Sequence, residues 1–149
     1  MQRTRRWLVL AGLLAAALQL SACTQQAAEA EGATSEPAKI EQVAGGEVSR
    51  LTLTARAAER LGIQTAPVRK VTVEGQARTV VPYGAVLYDA KGGTWVYVAR
   101  EPLSYVRERI TVDDIEDDRA VLTGGPAAGT AVVSVGAAEL YGTEFGVGH

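Results

Sequence analysis

The residue types in this chain that could do chemistry are few: one cysteine, one histidine, a dense acidic run and a handful of strand-like aromatics. The acidic run is Asp113, Asp114, Glu116, Asp117 and Asp118. Carboxylates this close could hold Ca²⁺, but an EF-hand loop beginning at Asp113 needs glycine at its sixth position and glutamate at its twelfth. Those positions are Asp118 and Gly124, so the run reads as a solvated turn between strands. His149 is the last residue, and a frayed terminal imidazole is a poor general base. Met1 is the sole methionine, which leaves little for a soft metal. Neither Gly92-Gly93 nor Gly124-Gly125 is followed by the Lys-Ser/Thr and helix of a phosphate loop. Trp95, Tyr97 and Tyr105 admit two readings, a binding platform or core packing, and core packing is the commoner use of strand aromatics. No catalytic residue, metal site or cofactor site is expected, and no enzyme.

The cysteine is different, because its surroundings specify what happens to it. Arg3, Arg5 and Arg6 precede an apolar run from Trp7 to Leu18, which leads into Leu20-Ser21-Ala22-Cys23. A basic start, a short apolar stretch and small residues before a cut make a secretory signal. The run is shorter than the ~20 apolar residues a spanning helix needs. Leu-Ser-Ala-Cys resembles the lipobox of bacterial lipoproteins, which implies diacylation of the Cys23 thiol by palmitate-type chains and cleavage between Ala22 and Cys23. Such chains contribute ~0.8 kcal/mol per buried CH₂, enough together for stable membrane attachment. The competing reading is a free or buried cysteine in an uncleaved membrane helix. Arg5-Arg6 resembles a twin-arginine signal, but Trp7-Leu8-Val9 fits it poorly, which leaves the general secretory route. Residues 1–22 are therefore expected to be a lipoprotein signal peptide, placing the protein in the bacterial cell envelope, facing the periplasm or the outside. In a Gram-negative host, Thr24 in place of aspartate would favour the outer membrane.

Residues 23–46 are expected to be a flexible tether. Ala, Glu, Gln, Gly, Ser and Thr dominate it, and so polar a segment cannot bury enough surface to offset its ordering entropy. About 23 such residues reach roughly 25 Å on average. The remaining ~100 residues suffice for one small domain. Setting aside the three signal arginines leaves twelve basic against seventeen acidic side chains, a net charge of −5. A mildly acidic chain with no basic run argues against nucleic acid as a partner.

Residues 47–149 carry the pattern of that domain. Ala85–Tyr88 and Thr94–Val98 read as two strands joined by Asp89–Gly93, a hairpin apolar on both faces and so covered on both. Val48–Leu53 reads as a strand, with Thr54 capping a short helix from Ala55 to Leu61 and Gly62 ending it. Ala58 and Leu61 form its inner stripe. Ser104–Val112 alternates, with Val106, Ile110 and Val112 facing in, Tyr105, Arg107, Arg109 and Thr111 facing out, and Glu108 an awkward member of the inner face or the sign of an edge. Ala120–Thr123 and Ala131–Val135 are further strands, and Ala137–Tyr141 forms one helical turn. Many short strands at intervals of about 8 to 12 residues predict a mainly β roll or barrel with one short helix.

Two segments carry a resemblance. Leu51–Val68, LTLTARAAERLGIQTAPV, resembles the opening of the mature periplasmic adaptor subunits (membrane-fusion proteins) of tripartite efflux pumps, in particular the resistance-nodulation-division class. Val81–Asp89, Thr94–Val98, Ala120–Val135 and the Gly136-Ala-Ala-Glu-Leu140 end resemble the adaptors' C-terminal part. In that family the membrane-proximal domain is built from both chain ends, with a β-barrel, a lipoyl domain and a long α-hairpin between them. Here only the twelve residues Arg69–Val80 intervene. The resemblance therefore implies a membrane-proximal β domain made of an N-terminal segment, 47–70, and a C-terminal segment, 81–149, with the middle removed. It implies a non-enzymatic role in efflux or transmembrane transport, with an efflux transporter or a full-length adaptor as partner. The alternative is a small ligand- or ion-binding envelope lipoprotein.

Overall fold

A computed structural model describes residues 36–43, 45 and 48–146. The expected signal peptide, Cys23, the first part of the tether and His149 lie outside the described residues. The strands are β1 (Ala38–Gln42), β2 (Ser49–Leu53), β3 (Gln64–Pro67), β4 (Arg69–Val73), β5 (Gln76–Pro82) and β6 (Leu87–Tyr88). They continue as β7 (Thr94–Glu101), β8 (Ser104–Arg109), β9 (Thr111–Glu116), β10 (Arg119–Gly124) and β11 (Ala131–Val135). Helix α1 (Ala55–Arg60) follows β2, helix α2 (Ala137–Phe145) follows β11, and Tyr83–Ala85 is a 3-10 turn. The mainly β architecture expected from the strand spacing holds.

The larger sheet runs β1-β2-β8-β7-β11-β3, with β6 also paired to β7. The smaller runs β4-β5-β10-β9, and every pairing in both is antiparallel. Strand β7 is the centre the apolar pattern predicts. On one face Val96 and Val98 join Val68, Val81, Ala120, Leu122 and Val132 in the core between the two sheets. On the other, Tyr97 lies with Leu51, Leu53, Tyr105, Val133 and Leu140 under the two helices. Both sides of β7 are covered, as a doubly apolar strand requires. The first arm expected over Ala85–Tyr88 shrinks to Leu87–Tyr88, because Tyr83–Ala85 forms a 3-10 turn, and Tyr88 is exposed.

Local signals place the connections. Thr54 caps α1 by accepting from the Ala57 N–H at 3.2 Å. Ala57 and Ala58 are its buried residues, and Leu61 packs partly against the same core. The β4–β5 hairpin turns on Glu74 and Gly75, both at positive φ (50° and 78°), a pair of conformations that suits two-residue hairpins. Gly136, at φ 85°, starts α2 where a Cβ would strike the Ile63 side chain and sit 3.1 Å from the Leu61 carbonyl.

Four further expectations are corrected. The tether ends earlier than residue 46, because Ala38–Gln42 pairs with β2 along its whole length. That short segment gains a full ladder of backbone hydrogen bonds, which offsets the ordering entropy its polar side chains cannot. The acidic run is mostly strand: Asp113, Asp114 and Glu116 lie on β9, and only Asp117-Asp118 turns. Ser104–Val112 breaks at Ile110 into β8 and β9, which belong to different sheets, and Tyr105 and Arg107 face inward. A second helix joins the one expected, since α2 runs to Phe145 and exceeds a single turn.

Candidate functional site: a buried arginine beneath an aromatic groove

The densest polar constellation sits where β7, β8, β2 and α2 meet. On α2, Ala137, Leu140 and Glu144 fall at i, i+3 and i+7, one helical face. Ala137 and Leu140 are buried, and their face carries the Glu144 carboxylate inward, with its side chain 3% exposed. Arg107 on β8 meets it through two bonds, Nε to Oε2 at 2.7 Å and Nη2 to Oε1 at 3.1 Å. The paired N–H fork of a guanidinium matches the two carboxylate oxygens. Tyr97 on β7 donates its hydroxyl to Oε2 at 2.5 Å, and the Ser49 N–H on β2 donates to Oε1 at 3.4 Å. One carboxylate thus ties the last helix to three strands.

The electrostatics suit a fixed cluster. Glu144 lies in the last turn of α2, near the negative end of the helix dipole, a poor place for an anion. The Arg107 guanidinium, on a side chain only 5% exposed, supplies the opposing charge. Burial, then the hydrogen bond to Glu144, pushes the Tyr97 phenol far above the ordinary tyrosine range, and Arg107 only partly offsets this. The phenol therefore stays protonated and donating at any physiological pH.

Aromatic rings cover the arginine. Its guanidinium carbon lies 4.8 Å from the Trp95 ring centroid, 5.0 Å from Phe145 and 5.7 Å from Tyr141. Tyr141 and Phe145, one turn apart on α2, have their ring centroids 4.6 Å apart. Trp95 is oriented by the hairpin loop, its indole N–H donating to Asp89 Oδ2 at 2.8 Å. Asp89 Oδ1 accepts from the Lys91 and Gly93 N–H groups, both at 2.8 Å. These bonds, the indole first, hold the Asp89 carboxyl below its ordinary range. Over the rings lies an open groove of about 420 Å³, with Lys91 and Arg109 on its rim. The cationic group its aromatics would attract is already present in Arg107, so the assembly is a lock between helix and sheet.

The sequence candidates distribute as follows. Tyr97 and Tyr105 are core residues, and Trp95 is half-buried in the groove wall. The acidic side chains spread along β9, and among the described residues no three His, Cys, Asp or Glu converge on a metal position. Cys23 and His149 lie outside the described residues. Sequence reasoning missed Arg107 and Glu144; extending the Ala137/Leu140 spacing one further turn would have put Glu144 on the inner face.

No family model matches the chain, and no curated protein matches it. Among solved structures, it is similar to an NMR structure of 180 residues encompassing the N-terminal metal-binding site and the membrane-proximal domain of SilB from Cupriavidus metallidurans CH34. The two are 22% identical with a TM-score of 0.45, and the match covers 56% of this chain and 48% of that one. The match thus spans about half the length of that structure, and an overlap of this size assigns no residue a role.

Proposed function

We propose that this protein is a lipid-anchored, non-enzymatic, adaptor-like component of a bacterial efflux or transmembrane transport system, without lipoyl and α-hairpin domains. The observation that supports it most is strand pairing between the two segments that resemble adaptor ends. Strand β2 pairs with β8, and β3 with β11, so residues before Val68 and after Val81 are neighbours in one sheet. That is the arrangement a membrane-proximal domain built from both chain ends requires. The intervening Arg69–Val80 is filled by the β4–β5 hairpin and its two-residue turn. In this reading Cys23 carries the lipid, residues 24–37 are the tether, and the domain works at the periplasmic or outer face of a membrane. Its partner is an inner-membrane transporter or a full-length adaptor.

Mild crosslinking in native membranes followed by purification tests the partner, with a transporter or full-length adaptor expected in the crosslinked product. Recovery of this chain alone would refute the adaptor role. The anchor is tested separately: Cys23→Ser should move the protein from the membrane to the soluble fraction, and retention in the membrane would sink the lipoprotein reading.

A further inference from the structure

Among the described residues the smaller sheet is open at both sides, and its two edges carry opposite charge. Strand β4 presents Arg69 and Lys70 and no acidic side chain; β9 presents Asp113, Asp114 and Glu116 and no basic one. Among the described residues Arg69, Lys70 and Asp114 take part in no ion pair, whereas Asp113 lies 3.7 Å from Arg78 and Glu116 lies 3.2 Å from Arg119. An open edge offers unpaired backbone groups to any strand that can approach it. Two β4 edges would bring cations together and two β9 edges would bring carboxylates together, so like edges repel. Only β4 against β9 is complementary.

The ladder register makes the complementarity specific. Arg69 pairs with Val80, Val80 with Val121, and Val121 with Asp114, so these four residues form one row across the sheet. The row is apolar in its middle and ends in a cation on one side and an anion on the other. All three pairings are antiparallel, so β9 runs opposite to β4. A second copy set beside the first in the same orientation therefore puts its β9 antiparallel to β4. Continuing the row across that seam places Asp114 of the second copy beside Arg69. Asp113, the extra residue where the β9–β10 register shifts, then falls between Arg69 and Lys70.

We propose that copies of this chain associate head to tail by pairing β4 of one with β9 of the next, with Arg69 and Lys70 facing Asp113 and Asp114. Within one copy Asp114 Oδ1 accepts from the Ile115 N–H at 2.8 Å, a local contact that the second copy's cations replace. The contact is heterologous, since each copy uses two different surfaces, so it extends to a ring or a filament and does not stop at a symmetric dimer. It stands apart from the transport reading, because it needs neither the lipid nor another protein.

Sedimentation velocity on the full chain carrying Cys23→Ser tests it through charge exchange. The parent should form species larger than a monomer at low salt and dissociate as salt rises, because exposed charges are screened. Arg69→Asp with Lys70→Asp should weaken self-association at least about tenfold, and Asp113→Lys with Asp114→Lys should do the same, since like charges then face each other. Mixing the two variants should restore association, because each supplies the edge the other needs. A parent that is monomeric at low salt overturns the proposal, as do variants that associate like the parent or a mixture that fails to associate. Circular dichroism of each variant separates lost pairing from lost folding. As a second readout, Arg69→Cys mixed with Asp114→Cys should give an intermolecular disulfide that neither gives alone; crosslinking of either variant with itself would point to symmetric edges and refute head-to-tail pairing.

Discussion

Glu144→Ala is the most informative single change, because it strips a buried guanidinium of its counter-ion. Arg107 would keep its place beneath Trp95, Tyr141 and Phe145 but lose both carboxylate bonds, while Tyr97 and the Ser49 N–H would lose their acceptor. Removing one member of a buried ion pair typically costs about 3–5 kcal/mol, since the partner's charge stays desolvated. Domains of this size are stable by only about 5–15 kcal/mol in all. Urea denaturation of the full chain carrying Cys23→Ser, followed by circular dichroism, reads the loss directly. With m near ~2 kcal/mol/M, a loss of ~4 kcal/mol moves the midpoint down by ~2 M. Replacing both charges together, Arg107→Met with Glu144→Leu, should recover most of that loss, because apolar groups of similar volume leave no charge uncompensated. A Glu144→Ala loss under about 1 kcal/mol would refute the reasoning, since that is the range of a solvated surface pair. A double variant no better than the single would refute it equally, by showing that the lost Tyr97 and Ser49 hydrogen bonds and not the stranded charge set the cost.

Three further outcomes are expected, at Tyr97, Asp89 and Gly136. The unfolded chain sheds its Tyr97 proton above pH ~10 while the folded chain keeps it, so the contribution of this group should be constant below that pH and turn unfavourable above it. Its slope approaches ~1.4 kcal/mol per pH unit from this group, and Tyr97→Phe should remove that part of the alkaline loss in pH-dependent urea titrations. Asp89→Ala should free the Trp95 indole, shifting its fluorescence to the red, and the parent should show the same shift only on acidification below the ordinary aspartate range. An unshifted emission in the variant would show that Asp89 does not orient the ring. Gly136→Ala should cost about 2 kcal/mol, from a left-handed backbone an L-residue rarely adopts and from the collision with Ile63, and lower Tm by roughly 10 °C. An unchanged Tm would mean the helix start can rotate away.

What the sequence made legible was whatever depended on neighbours in the chain. The pattern around Tyr97 named the central strand, and Thr54 and Gly62 bounded α1, because alternation and capping are local. Arg107 escaped for a physical reason. Alternation along Ser104–Val112 sorts side chains into two faces but cannot say which face is inner, and a charged residue argues for solvent until its partner is known. That partner lies 37 residues later, beyond the single turn expected over Ala137–Tyr141, on a helix that in fact continues to Phe145. The acidic run failed differently. Clustered Asp residues favour turns, yet β9 is held as a strand by its ladder to β10, a tertiary term that propensity does not contain.

The register explains why one cut edge can be charged without weakening the fold. In the row Arg69–Val80–Val121–Asp114 the hydrophobic middle is supplied by β5 and β10, which have neighbours on both sides and bury Val121 almost completely. Among the described residues, strands β4 and β9 each bond on one side only, so their side chains contribute little to the core and can carry charge instead. The same logic makes the β4–β5 hairpin an adequate closure between the two segments: Val68 is already fixed by bonds to Thr130 and Gly129, so the hairpin need only return the chain to Val81. Stability then rests on β2–β8 and β3–β11, whose strands are far apart in sequence, and on Glu144, which fastens the last helix over them. Loosening that fastening should expose the helix-side core while leaving the core between the sheets intact. Hydrogen exchange on Glu144→Ala would therefore rise first at Leu51, Tyr105 and Leu140, ahead of Val96, Val98 and Val132.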